Sequence, residues 1–150
     1  MNYTKGRKIY IAFSAILVAV VAVIIFKLSA QTATESSGTS QSLIDLIFSY
    51  LGKSFTQNTI RTVAHLCEFA GFGFLVTNLV FALKDKLMPV LSVLLSFGYA
   101  VTDEIHQIFV PGRAFQLIDL TIDLGGIILG TVVFSAIILI IKHKKPLTRD

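Results

Sequence analysis

Four long apolar blocks dominate this 150-residue chain and restrict what it can fold into. Residues 9–28, 62–83, 87–110 and 117–141 can each supply the roughly 20 residues with which an α-helix crosses the hydrocarbon layer. The third block is more polar in its C-terminal part. Apolar residues make up 54% of the chain and charged ones only 15%, and they fall in blocks without the short alternation of a soluble core. The expected fold is an all-α membrane protein, a bundle of four transmembrane helices. Residues 1–29 form an N-terminal transmembrane anchor, 30–60 an outer linker, 61–142 a three-helix core and 143–150 a tail. The anchor has the basic start of a signal peptide (Lys5, Arg7, Lys8), with Ala30-Gln31 as a weak cleavage candidate. Its apolar run exceeds the usual 7–15 residue signal core, which favours an uncleaved helix.

The basic residues orient the bundle. With the N-terminus inside, Lys5, Arg7, Lys8, Lys84, Lys86, Lys142, Lys144, Lys145 and Arg149 face the cytoplasm, against Lys27, Lys53, Arg61 and Arg113 outside. The positive-inside rule then puts both termini in the cytoplasm. The net charge of +4 sits at helix ends, where it meets anionic headgroups, and this location argues against nucleic acid as a partner. The chain is expected to cross the membrane several times. Residues 83–87 make a short inner turn, and Pro89 stands where the start of a helix tolerates it. The Ser/Thr-rich stretch 30–42 reads as a flexible outer linker. Residues 43–51 are too short to span and suit a helix lying along the interface or packed on the bundle. Cys67 is the only cysteine, so an intramolecular disulfide and a cysteine-based zinc site are both excluded.

In this orientation the ionisable residues converge on one side. Arg61, His65 and Glu68 begin the second helix; Asp103, Glu104, His106 and Gln107 end the third, followed by Arg113; Asp119 and Asp123 begin the fourth. All three helix ends lie at the outer leaflet. Positions three and four apart share a helix face. Arg61, His65 and Glu68 therefore form a stripe, as do Ser92, Ser96, Tyr99, Asp103 and His106. On the fourth helix Asp119 and Asp123 continue into Gly126 and Gly130, a small-residue spacing that admits a close neighbour and turns both aspartates inward. Val110-Pro111-Gly112-Arg113 forms an outer turn above the cluster.

Ionisable residues within membrane helices are costly, and mark function by default. Five of the nine acidic residues (Glu68, Asp103, Glu104, Asp119 and Asp123) gather here. That excess requires compensation by Arg61, Arg113, protonated histidines, a metal ion or a substrate. The blander reading, helices locked together by ion pairs, suits Arg61 and Glu104 equally well. His65, Glu68, Asp103 and His106 offer mixed nitrogen and oxygen ligands to a divalent metal, although no His-Glu-x-x-His spacing exists. A histidine beside a carboxylate also suits general acid–base chemistry. Cys67 points elsewhere on its helix and reads as packing, His143 as an inner headgroup contact, and the phenylalanines as lipid and packing surface.

Three strings in this region, Ala64-His65-Leu66-Cys67-Glu68-Phe69, Asp103-Glu104-Ile105-His106-Gln107-Ile108-Phe109-Val110-Pro111-Gly112-Arg113 and Asp119-Leu120-Thr121-Ile122-Asp123-Leu124-Gly125-Gly126, together resemble the VanZ-like proteins. The likeness runs from about residue 61 to 130 and, with the first helix, covers most of the chain. It implies a multi-pass protein of the cytoplasmic membrane linked to low-level teicoplanin resistance in Gram-positive bacteria. Teicoplanin carries a lipid tail and acts at the outer face, so the implied ligand of the cluster is a lipophilic molecule, either a lipid-linked envelope precursor or the lipoglycopeptide itself. Glu68, Asp103 and His106 are then the candidates for chemistry. Arg113 would hold an anionic group, Asp119 and Asp123 would orient His65 or a cation, and Gln107 would help bind. The competing classes are a small proton- or ion-coupled transporter and a non-catalytic interaction subunit. The convergence itself is open to test by thiol labelling of intact cells in a Cys67→Ser background. The expected result is that His65→Cys and His106→Cys report the same, outer surface; opposite surfaces would dissolve the cluster.

Overall fold

A computed structural model of the chain describes residues 3–31 and 57–144. The described residues form four helices: α1 (Lys5–Ser29), α2 (Gln57–Lys84), α3 (Pro89–Gln107) and α4 (Leu117–Lys144). The expected linker beyond Gln31, the interfacial segment 43–51 and the tail from residue 145 lie outside the described residues.

The described helices run up and down, and the connections from α2 to α3 and from α3 to α4 are short. Thr4 caps α1, its side chain accepting from the backbone N–H of Arg7. At the same end of the bundle Arg7 donates to the Ala82 carbonyl and pairs with Asp85 at 3.0 Å, and Lys142 of α4 lies over the Phe81 ring. The starts of α1 and α3 thus share one end with the finish of α2 and α4. Asp85 sits in the left-handed region, with φ of 60°, which aspartate tolerates better than most residues, and Pro89 then opens α3.

Polarity is arranged inside out. Large apolar side chains face outward along α1 (Ile9, Phe13, Ile16, Val20) and α4 (Ile128, Val132, Leu139). Buried within are Ser14, Ser29, His65, Thr77, Ser92, Ser96, Asp103, Asp123 and Thr131. Water would punish such an exterior, whereas lipid favours it. An apolar layer does exist inside, where Ile25, Phe69, Phe72, Val76, Val80, Ala100 and Ile127 pack together. Among the described residues three helices are long and apolar enough to cross a membrane: α1, residues Arg61–Lys84 of α2, and Leu117–His143 of α4. Helix α3, which ends in the polar run 103–107, is not one of them. At 19 residues, or about 28 Å, α3 is shorter than its apolar block. Proline sets its start, and the chain turns away after Gln107 into a loop with Gly112 at φ 77°.

The closest pair is α2 and α4, which run parallel. A Cβ on Gly73 would stand 2.7 Å from the Ile127 carbonyl oxygen, and one on Gly126 2.5 Å from that of Leu66. A Cβ on Gly130 would fall onto the backbone of Ala70 and Phe74. The small-residue spacing thus admits α2, and the Thr77 and Thr131 hydroxyls meet 3.1 Å apart farther along the same seam. Gly130→Leu is therefore expected to destabilise the bundle by about 2–3 kcal/mol or more, read as an earlier unfolding midpoint on SDS titration. Gly98→Ala, where a Cβ meets nothing within 4 Å, leaves the midpoint unchanged or slightly later.

Candidate functional site

The α2–α4 seam carries the first two polar pairs. Arg61 at the start of α2 forms an ion pair with Asp119 at the start of α4. One turn further in, His65 Nδ1 and Asp123 Oδ1 lie 3.1 Å apart, with Asp123 wholly buried. Both pairs join residues four apart on each helix, so the parallel packing brings the two stripes into register.

The third side of the site comes from α3. Asp103, Glu104 and Gln107 are buried there, along with Ser92, Ser96 and Ala100. Relative to the expected stripe the buried face is rotated by part of a turn. Tyr99 and His106 stand at its edge toward α1, where Tyr99 donates to the Ala22 carbonyl and His106 stacks on Phe26 at 4.2 Å. Glu104 faces neither solvent nor headgroups, as it is fully buried. Its two oxygens accept from Gln107 Nε2 at 3.1 Å and from the backbone N–H of Gln116 at 3.0 Å. This second bond folds the 111–116 loop over the cluster.

Three contributors had no signal in the sequence. Ser29, in the last turn of α1, donates to Asp103 Oδ2 at 2.6 Å. Gln31 offers its carbonyl to Arg113 Nε at 3.1 Å, and Phe26 supports His106. All three depend on where the end of α1 lands against α3 and the loop after it. Arg113 itself is half-buried, and its Nη1 lies 3.5 Å from Gln107 Oε1. Burial, with Arg61 nearby, draws its guanidinium below the ordinary value, while Asp119, Asp103 and Glu104 oppose the shift. Starting from so high a value, it stays a cation.

The candidates named from sequence therefore meet at one end of the bundle. His65, Glu68, Asp103 and Asp123 lie within electrostatic reach of one another, and His106 within reach of Asp103. Glu68 is half-buried. Cys67 is exposed on the opposite side of α2, so it points away from the cluster but is not packed inside. Among the described residues no three His, Cys, Asp or Glu side chains are grouped so as to hold one metal ion. His65, held in one orientation by Asp123, stands near Glu68, and a histidine beside a carboxylate suits proton transfer.

Among the described residues several polar atoms of the site are left unpaired, including Arg61 Nε and Ser96 Oγ. Asp103 Oδ1, Asp123 Oδ2 and His106 Nε2 are buried without a hydrogen-bond partner among the described residues. Removing a paired donor should be felt. Ser29→Ala is expected to cost about 1–3 kcal/mol in the same SDS titration, and Cys67→Ala less than about 0.5 kcal/mol; equal effects would remove Ser29 from the site.

A family model described as VanZ/LLP1 matches residues 13–140, which include the whole cluster. No curated protein and no solved structure matches the chain.

Proposed function

Because the chain belongs to the VanZ/LLP1 family, we propose that it is a multi-pass protein of the cytoplasmic membrane whose polar cluster, at the outer leaflet, binds or modifies a lipophilic or lipid-linked envelope molecule. The same reading links it to glycopeptide resistance of the teicoplanin type. The observation that carries the proposal is the set of unpartnered buried atoms, Asp103 Oδ1, Asp123 Oδ2 and His106 Nε2. In lipid an unsatisfied polar group costs several kcal/mol, and ion pairs that only held helices together would be completed. These are left open.

Each role follows from the surroundings of the residue. His65, with Nδ1 engaged by Asp123, keeps Nε2 for proton exchange. Glu68 lies one turn along the same helix, half-buried and near His65, and accepts or returns the proton. Asp103 and His106 contact the ligand from α3. At the rim, Arg113 with Gln107 takes an anionic group of the ligand, and Asp119 holds Arg61 out of its way. The ion-coupled transporter has less support. Among the described buried polar residues, those deeper in the bundle are Ser14, Thr77, Ser92, Ser96 and Thr131, which carry no titrating group.

Expression in a susceptible Gram-positive host tests the reading. His65→Ala, Glu68→Gln and His106→Ala are expected to reach normal membrane abundance while teicoplanin protection drops to the empty-vector level. Full protection from all three would end the proposal, and lost protection from Cys67→Ala would mean that the assay reads folding alone.

A further inference from the structure

The hydrogen-bond inventory of the cluster specifies which kind of group it is built to receive. On the donor side, Ser29 and Gln107 donate to Asp103 Oδ2, Gln107 and the Gln116 N–H to Glu104, His65 to Asp123 Oδ1, and Arg61 to Asp119. Arg113 spends Nε on a carbonyl and Nη1 on Gln107. Among the described residues, the unpartnered atoms of the cluster are Arg61 Nε at the rim, His106 Nε2 on the side toward α1, Ser96 Oγ on α3, and a central pair. That pair is two carboxylate oxygens, Asp103 Oδ1 and Asp123 Oδ2, from side chains 2% and 0% exposed. They belong to facing helices and lie within electrostatic reach of each other and of His65. Buried carboxylate oxygens accept hydrogen bonds and offer none. A phosphate brings further acceptors and further negative charge into a low-dielectric interior, where like charges repel most strongly.

Resting on the reading of the cluster as a lipid-handling site, we infer that the ligand group seated between Asp103 and Asp123 is a hydrogen-bond donor, either an ammonium or sugar-type hydroxyls, and not a bare phosphate. The site divides its ligand by depth. Arg113, in the loop above the cluster, is placed to take an anion. The two aspartates beneath it take donors. The ligand class is then a lipid whose headgroup carries amine or hydroxyl groups beyond any phosphate. Protonating one aspartate would turn its open oxygen into a donor and reverse the preference, an outcome that the ranking of lipids reads directly.

The test uses the full chain in phosphatidylcholine nanodiscs doped equally with phosphatidylethanolamine, monoglucosyl diacylglycerol or phosphatidic acid. Lipid retained through a detergent wash is counted by native mass spectrometry. The ammonium or the hydroxyl lipid is expected to exceed phosphatidylcholine and phosphatidic acid by about fivefold for each bond gained, and the winner of those two separates amine from hydroxyl. Asp103→Asn and Asp123→Asn each place an N–H₂ where an acceptor stood, and are expected to move the ranking toward phosphatidic acid. Phosphatidic acid retained best by the wild type overturns the inference while leaving a lipid site standing. Retention that is equal for all four lipids and unaltered by either substitution overturns the lipid-site reading, and the inference with it. If a variant fails to accumulate, the wild-type ranking decides.

Discussion

The parallel contact between α2 and α4 is the constraint on which the rest of the molecule depends. Gly73, Gly126 and Gly130 remove the side chains that would hold the two backbones apart. In a lipid surround, where apolar burial gives helices little reason to associate, such close approach supplies the packing that does. At this separation side chains reach across the seam: Arg61 to Asp119, His65 to Asp123, Thr77 to Thr131. The polar pairs follow from the spacing set by the glycines.

The other two helices complete what this pair begins. From α3 come Asp103, Glu104 and Gln107, and the loop after it returns through Gln116 to close the cluster from above. The last turn of α1 supplies Ser29 and Phe26. Lipid contact and site building are divided along α1, whose outward faces are apolar for most of its length. Its buried polar side chains are Ser14, which receives from Asn78, and Ser29. The cluster therefore draws on all four described helices, while large apolar side chains such as Val63, Ile105 and Ile118 face outward around it.

Much of this was legible from residue spacing. The stripe of Arg61, His65 and Glu68 and the run from Asp119 through Gly130 each lie on a straight α-helix, where separations of three and four fix a common face. The turn at Pro111-Gly112 was legible because only a few residue types suit it. The face of α3 was harder. Asp103, Glu104, His106 and Gln107 lie within five residues and span about 160° of the helix, so spacing alone does not say which of them point inward. The neighbours decided: Phe26 drew His106 to the edge, and the Gln116 N–H gave Glu104 a buried partner. Ser29 was invisible for a different reason. A lone serine at a helix end carries no pattern, and its role comes from the carboxylate opposite.

By itself the sequence determined the four described helices, their alternating direction and the end at which the charges gather, because hydropathy, charge placement and helical period are local properties of the chain. Tertiary structure decided which acceptors are satisfied. That Asp119 is paired, Glu104 doubly bonded, and Asp103 and Asp123 each left with one open oxygen depends on distances between atoms of different helices. Those distances are set by packing, which no local pattern encodes.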